Sequence, residues 1–251
     1  MTIEINFTSI VANDSSQLVL LFPASGISAL SWIPFGRQLK GHACVYGVDL
    51  TWPVSGSIDS ESFANNTVMR HEMTHIGKQL AADILTIAGQ RTITCVGHCS
   101  GGIYAYEAIH HLPLSQLKSL ILIDTLAAQT QPDSQQSSPH ESEQYSTAVA
   151  YMHSDLFSNV ASVPDMYREQ IYYGAIKHMS IANSYIATPI SIEINLLRSR
   201  SYAAELFKPW AHLSKHQYND YPLNIDSKEI LNSHNLGRVA RPIINTLQTF
   251  R

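Results

Sequence analysis

Apolar residues follow two patterns along this chain. Near the start Ile3, Ile5 and Phe7 alternate with polar residues, the period of two expected of an edge strand with one buried face. Four later runs are continuously apolar: Leu18 to Phe22, Ala43 to Val48, Ile93 to Val96 and Leu120 to Ile123. A fifth strand signal spans Ile190 to Leu197. Short unbroken runs suit strands buried on both faces of a parallel sheet. Helix-like stretches fall between them, at about 29–40, 66–88 and 100–111. A last one covers Val239 to Phe250, with Pro242 opening or flanking it. Repeated β-α alternation predicts an α/β fold with a mostly parallel sheet and right-handed crossovers.

The alternation is interrupted once. Residues 129–146 are rich in Ser, Gln, Pro and Glu and read as a loop. Two helix-like stretches follow, Tyr145 to Asn159 and Pro164 to Tyr185, before the sheet resumes near Ile190. We read about 129–187 as a helical lid inserted into a single domain spanning 1–251; two ordinary crossover helices are the plainer alternative. Tyr151, Met166, Tyr167, Tyr172, Tyr173 and Met179 make the insertion aromatic and amphipathic. Most of them suit packing, and a minority could line an acyl pocket.

Composition narrows the class of partner. With 45% apolar and 14% charged residues over 251 positions, the chain is globular and long enough for one full core. A net charge of −4 without a basic stripe argues against nucleic acid. No apolar run reaches the roughly 18 residues of a membrane span, and the N-terminus alternates where a signal peptide would be continuous. The expectation is a soluble, cytoplasmic protein. Its three cysteines, Cys44, Cys95 and Cys99, lack metal or CxxC spacing and fit reduced thiols. Cys44 and Cys95 sit in strand-like runs, as packing residues do.

The most informative segment is Gly97-His98-Cys99-Ser100-Gly101-Gly102, between the strand ending at Val96 and the helix-like run from Ile103. Strand, tight glycine turn and helix form a nucleophile elbow, here Gly-x-Cys-x-Gly where serine is usual, which points to an α/β-hydrolase. Such a turn brings together the residues two before and two after the nucleophile, so both must be glycine. Gly97 and Gly101 flank Cys99 in that register; Ser100 as nucleophile would need a small residue in place of His98. Cys99 is therefore the expected nucleophile.

A thiol in an elbow needs a base, and the base an orienting acid, in the chain order nucleophile, acid, histidine. Asp124 closes the run Leu120 to Ile123, one helix and one strand after Cys99. The alternative acid position follows the strand near Ile192 to Leu197, where Arg198-Ser199-Arg200-Ser201 offers no carboxylate before Glu205. Asp124 is preferred, against the plainer reading of an aspartate capping a turn. Of twelve histidines, His234 lies after the last strand signals and just before the terminal helix, where this fold delivers its base. His212 and His216 belong to a stretch read as helix and polar loop. The oxyanion hole should combine the backbone N–H of Ser100 with one from the loop Phe22-Pro23-Ala24-Ser25-Gly26. Ser25 is the first choice for that donor and Ala24 the second, and Gly26 lets backbone approach the substrate.

On these residues the chain resembles the thioesterase domains that release products from nonribosomal peptide and polyketide synthases. The resemblance runs through Leu21-Phe22-Pro23-Ala24 to Gly47, the elbow with Tyr106-Glu107, Asp124, and His234 to Pro242. It covers most of the chain outside the insertion. It implies an α/β-hydrolase fold and a triad of Cys99, Asp124 and His234. Substrate contacts would come from Ala24, Gly26 and His98. The implied partner is an acyl or peptidyl carrier protein presenting its chain on phosphopantetheine, with no bound cofactor or metal. Cysteine for serine, and Phe-Pro-Ala-Ser-Gly for the usual His-Pro-Ala-Gly-Gly, are departures. Cysteine-bearing members of the family favour cyclisation over hydrolysis. An acid at Asp124 resembles the terminal releasing domains; stand-alone proofreading (type II) thioesterases more often carry it after the later strand. An inactive hydrolase-fold binding module is the non-enzymatic alternative, and a dienelactone-hydrolase-like enzyme fits the elbow less well. His71-Glu72-Met73-Thr74-His75 also matches the H-E-x-x-H zinc pattern, but without a third ligand it reads as a helix face.

Overall fold

Leu18 to Phe22 are all but completely buried, and the reason is visible in what lies on either side of them. Leu18, Leu20 and Phe22 point into one apolar cluster, whereas Val19 and Leu21 point into a second cluster on the opposite face. The computed structural model describes residues 3–51, 66–126 and 184–249, with Gly174, Lys177, His178 and Ile181 between them. The insertion expected at about 129–187 lies mostly outside the described residues.

Seven strands form one sheet: β1 (Glu4–Val11), β2 (Gln17–Phe22), β3 (Cys44–Thr51), β4 (Thr92–His98), β5 (Leu117–Ile123), β6 (Glu193–Arg198) and β7 (Tyr218–Pro222). Their order across the sheet is β1-β3-β2-β4-β5-β6-β7. Among the described strands only β1 runs antiparallel, against β3; the other pairings are parallel. The alternating N-terminal run is thus an edge strand, and the continuous apolar runs are interior strands. Helices cover both faces. Long α2 (Asn66–Ala88) and α3 (Ser100–Ile109) pack on one cluster. On the other lie the short α1 (Ile33–Gly36) and the C-terminal α4 (Leu236–Gln248). This is the doubly wound α/β architecture that the alternation predicts.

Three details differ from the sequence expectation. The helix expected over 29–40 is broken into 3-10, α and 3-10 turns (Ala29–Trp32, Ile33–Gly36, Arg37–Leu39), with Pro34 in the first turn of the α segment, where a missing N–H costs nothing. Pro242 lies inside α4, not at its start, and Thr246 Oγ1 donates to the Pro242 carbonyl at 3.0 Å. Strand β7 falls just beyond a stretch read as helix and polar loop. It is a polar edge, with Asp220, Tyr221 and Pro222 exposed, so no apolar run announces it. Among the described residues no helix is long and apolar enough to cross a membrane.

Candidate active site

The carboxyl ends of β2, β4, β5 and β6 meet at one edge of the sheet, where open α/β sheets place ligands. Cys99 follows β4 directly and has φ 51° and ψ −126°. That is a sparsely populated conformation for a residue with a Cβ, of the kind that persists only when its surroundings impose it. Here the surroundings are backbone. A Cβ on Gly97 would stand 2.3 Å from Gly102 Cα, and one on Gly101 would stand 2.2 Å from the Pro23 oxygen and 2.3 Å from the Phe22 oxygen. Gly102 is as crowded, against the Thr125 side chain. The Cys99 N–H donates to the Ile123 carbonyl at 2.9 Å, tying the turn to the next strand. Cys99 is partly exposed, whereas Cys44 and Cys95 are buried. Burial pushes the Cys95 thiol up to about 12; of the three cysteines, Cys99 is the one that is not buried.

Asp124 occupies the matching position at the end of β5, 3% exposed, with a positive φ of 47°. Its N–H donates to the Leu197 carbonyl at 3.0 Å, and its Oδ1 accepts the Ser199 N–H at 2.7 Å. Ser199 stands where an alternative acid would have been; its backbone instead fixes the carboxylate of Asp124. Arg198 and Arg200 turn outward onto Asp220 and Asp226. Asp124 Oδ2 is buried without a hydrogen-bond partner.

His234 is not brought to that oxygen. It lies exposed in the loop before α4, with Nε2 3.2 Å from Asn235 Nδ2, while the Asn235 amide also donates to the Glu229 carbonyl at 2.9 Å. The expected acid–histidine contact is therefore unmade in this conformation. Sequence position sets the loop, and in this conformation the imidazole contacts its neighbour Asn235. Tyr202 was missed by sequence reasoning. Its hydroxyl pKa is raised first by burial, and then by the nearby Cys99 and Asp124 charges, against a hydrogen bond with Ser227. Its position just beyond β6, where the sequence offers no carboxylate before Glu205, is the available signal.

Two further expectations need correction. His98 is 3% exposed and packs against Trp32, ring centroids 5.5 Å apart. It lies on the same face of β4 as Val96, in the cluster that holds Trp32, and so is enclosed where a substrate contact was expected. Ser25 is in the expected loop, but its N–H donates to Ser100 Oγ at 2.8 Å, so that amide is engaged within the protein. Ala24 is buried beside it and its carbonyl accepts the Ile27 N–H at 3.0 Å. Gly26 sits in this tight turn with φ 78°, a conformation that favours glycine. The Ser100 N–H opens α3 and has no intrahelical acceptor.

The same loop walls a cavity of about 340 Å³, completed by Val48 to Thr51, Tyr104 and His178. His178 Nε2 lies 3.1 Å from the Leu50 carbonyl, which can only accept. That nitrogen therefore carries the proton, and Nδ1 accepts from the Tyr104 hydroxyl at 2.7 Å. In the H-E-x-x-H segment His71 and His75 are exposed, Met73 is in the core, and Glu72 pairs with Lys177 at 3.1 Å.

Burial pushes His98 down to about 4 against the opposing charge of Asp124, and pushes His178 down to about 4 against its bond to Leu50. Both are neutral when folded, while the unfolded chain takes up protons near the ordinary 6.5. Between these values the unfolded state binds more protons, so stability rises with pH. It should be complete above about pH 6.5 and fall progressively toward pH 4, by at most about 3 kcal/mol per histidine. Urea midpoints measured at pH 7, 5.5 and 4.5 test this; a flat profile would contradict it.

No protein-family model and no curated protein matches the sequence. Solved structures do. The Vlm2 thioesterase domain, solved with a dodecadepsipeptide, matches with a TM-score of 0.67 at 17% identity over 95% of this chain and 96% of that one. SrfTE, the thioesterase domain that cyclises the lipopeptide antibiotic surfactin, matches at 0.67 and 16% over 98% and 96%. The type II thioesterase BorB of the borrelidin cluster matches at 0.65 and 13% over 96% and 97%. Likeness at this level of identity speaks to architecture, and with the sheet order and the elbow it establishes the chain as an α/β-hydrolase fold on the frame shared by these thioesterases.

Proposed function

We propose that this protein is a thioesterase that takes an acyl or peptidyl chain from the phosphopantetheine of a carrier protein onto Cys99 and releases it. The observation that carries the reading is the partly exposed thiol at a backbone-locked turn, next to an end-of-strand aspartate whose Oδ2 is unpartnered. In the reaction, Cys99 Sγ attacks the thioester carbonyl, and His234 takes the thiol proton. The tetrahedral oxyanion collapses with cleavage of the bond to the pantetheine sulfur, which leaves with that proton. His234 reaches this role by turning in from its exposed loop to seat on Asp124 Oδ2, which would select the imidazole tautomer.

Thiol chemistry bears on the second half. Loading exchanges one thioester for another, so it is nearly energy-neutral, and the acyl-enzyme keeps its reactivity. An internal amine or hydroxyl, or water, then attacks, and its proton returns through His234 to Sγ. A thiolate leaves well, which favours cyclisation; the likeness to SrfTE supports that reading. Proofreading hydrolysis is the second reading, and the likeness to BorB supports it. The test is incubation with a pantetheine-linked chain carrying an internal nucleophile. Intact mass should show an acyl adduct on the protein, and the released product should be lighter than the free acid by one water. Free acid alone would favour proofreading. No adduct and no turnover would leave only an inactive binding module.

A further inference from the structure

The reading of Cys99 as an acyl-transfer nucleophile needs two hydrogen-bond donors at the developing oxyanion, and the structure has redirected one of them. The Ser25 N–H, the amide in line for that role, points at Ser100 Oγ at 2.8 Å. The two hydroxyls also touch, Ser25 Oγ to Ser100 Oγ at 2.6 Å. Ser100, the residue after the thiol, thus takes up the hydrogen of the loop amide.

A hydroxyl has one proton to give and two lone pairs. One lone pair of Ser100 Oγ is taken by the Ser25 amide. The contact between hydroxyls uses one proton, leaving the pair a single O–H to offer elsewhere. Ser25 is 7% exposed, whereas Ser100 is partly exposed beside Cys99. Either hydroxyl can donate in that contact; with Ser25 Oγ as the donor, it fills the second lone pair of Ser100 Oγ and Ser100 keeps its own proton. We propose that the Ser100 hydroxyl is the second oxyanion donor, working with the Ser100 N–H, and that Ser25 is its positioning residue. This rests on the thioesterase reading above. An Oγ that accepts two hydrogen bonds is held in one rotamer and its own proton is polarised, which is the preorganisation that oxyanion stabilisation requires. It also gives the departure from Gly to Ser at position 25 a purpose: it supplies the bond that orients Ser100.

The test compares two reactions of the same thiol in the full chain. Acylation of Cys99 by an acyl-pantetheine thioester passes through an oxyanion. Alkylation by iodoacetamide displaces iodide at carbon and builds none. Ser100→Ala should slow acylation by about 10²-fold and leave alkylation at the wild-type rate. Ser25→Ala should slow acylation less, also without changing alkylation. Wild-type acylation retained within twofold in Ser100→Ala overturns the proposal. Equal loss of both reactions in Ser100→Ala overturns it too, because Ser100 would then serve only to present the thiol. Failure of the wild-type chain to acylate while it still alkylates is a different result, and removes the thioesterase reading itself.

Discussion

Cys99→Ala should take up no acyl group from a thioester donor, and turnover should fall on the order of 10⁶-fold, as when a covalent nucleophile is deleted. The argument is structural as well as chemical. Alanine keeps the Cβ of cysteine, so the strain at φ 51° is the same in both chains. The thiol is only partly buried, so its loss removes little packing, and stability should stay within about 1 kcal/mol of wild type. The variant therefore isolates the sulfur. Intact mass before and after incubation reads the outcome. Cys44 and Cys95 are enclosed and cannot stand in. An adduct persisting on Cys99→Ala at the wild-type rate would assign the chemistry to another residue, Ser100 first, and the register of the elbow would have been misread.

Gly101→Ala should be the most damaging single methyl added near the site. The new Cβ would meet the carbonyl oxygens of Phe22 and Pro23 at 2.3 and 2.2 Å. Those are backbone atoms at the end of β2 and cannot swing aside as a side chain could. Either α3 lifts from the sheet or the loop carrying Ser25 is displaced. Overpacking of this kind costs up to about 3 kcal/mol, which for a chain of this size lowers Tm by about 6–12 °C. Acylation should fall with it, because the displaced loop holds the amide on Ser100. Gly237→Ala is the matched control. It lies in α4 with nothing within 4 Å of the added carbon, and alanine is the better helix former by up to about 1 kcal/mol. Calorimetry on the two variants should move in opposite directions; a Gly101→Ala protein as stable as wild type would mean that the elbow is looser than its contacts imply.

Much of this architecture was legible in the chain because it depends on neighbours in sequence. Continuous apolar runs mark β2 to β5, since a strand between two helical layers has no polar face to show. The Asn66–Ala88 helix ends where the sequence places it. Polar β7 gave no such signal, because an exposed edge strand is held by backbone pairing to β6 and not by burial. Nor did Pro242, whose place inside α4 is tolerated by packing on the rest of the core.

The site divides along the same line. Glycine spacing around Cys99 is a local steric rule, readable from six residues, and Asp124 follows from counting one helix and one strand. Which way a polar group points is decided by partners far away in sequence. Ser25 binds Ser100 across 75 positions, and Ser199 holds Asp124 across another 75. Residue types and short spacings thus determined where a nucleophile and an acid could stand. Only the folded chain decided which donors face them, because a hydrogen bond is directional and its competitors become neighbours only once the sheet has assembled.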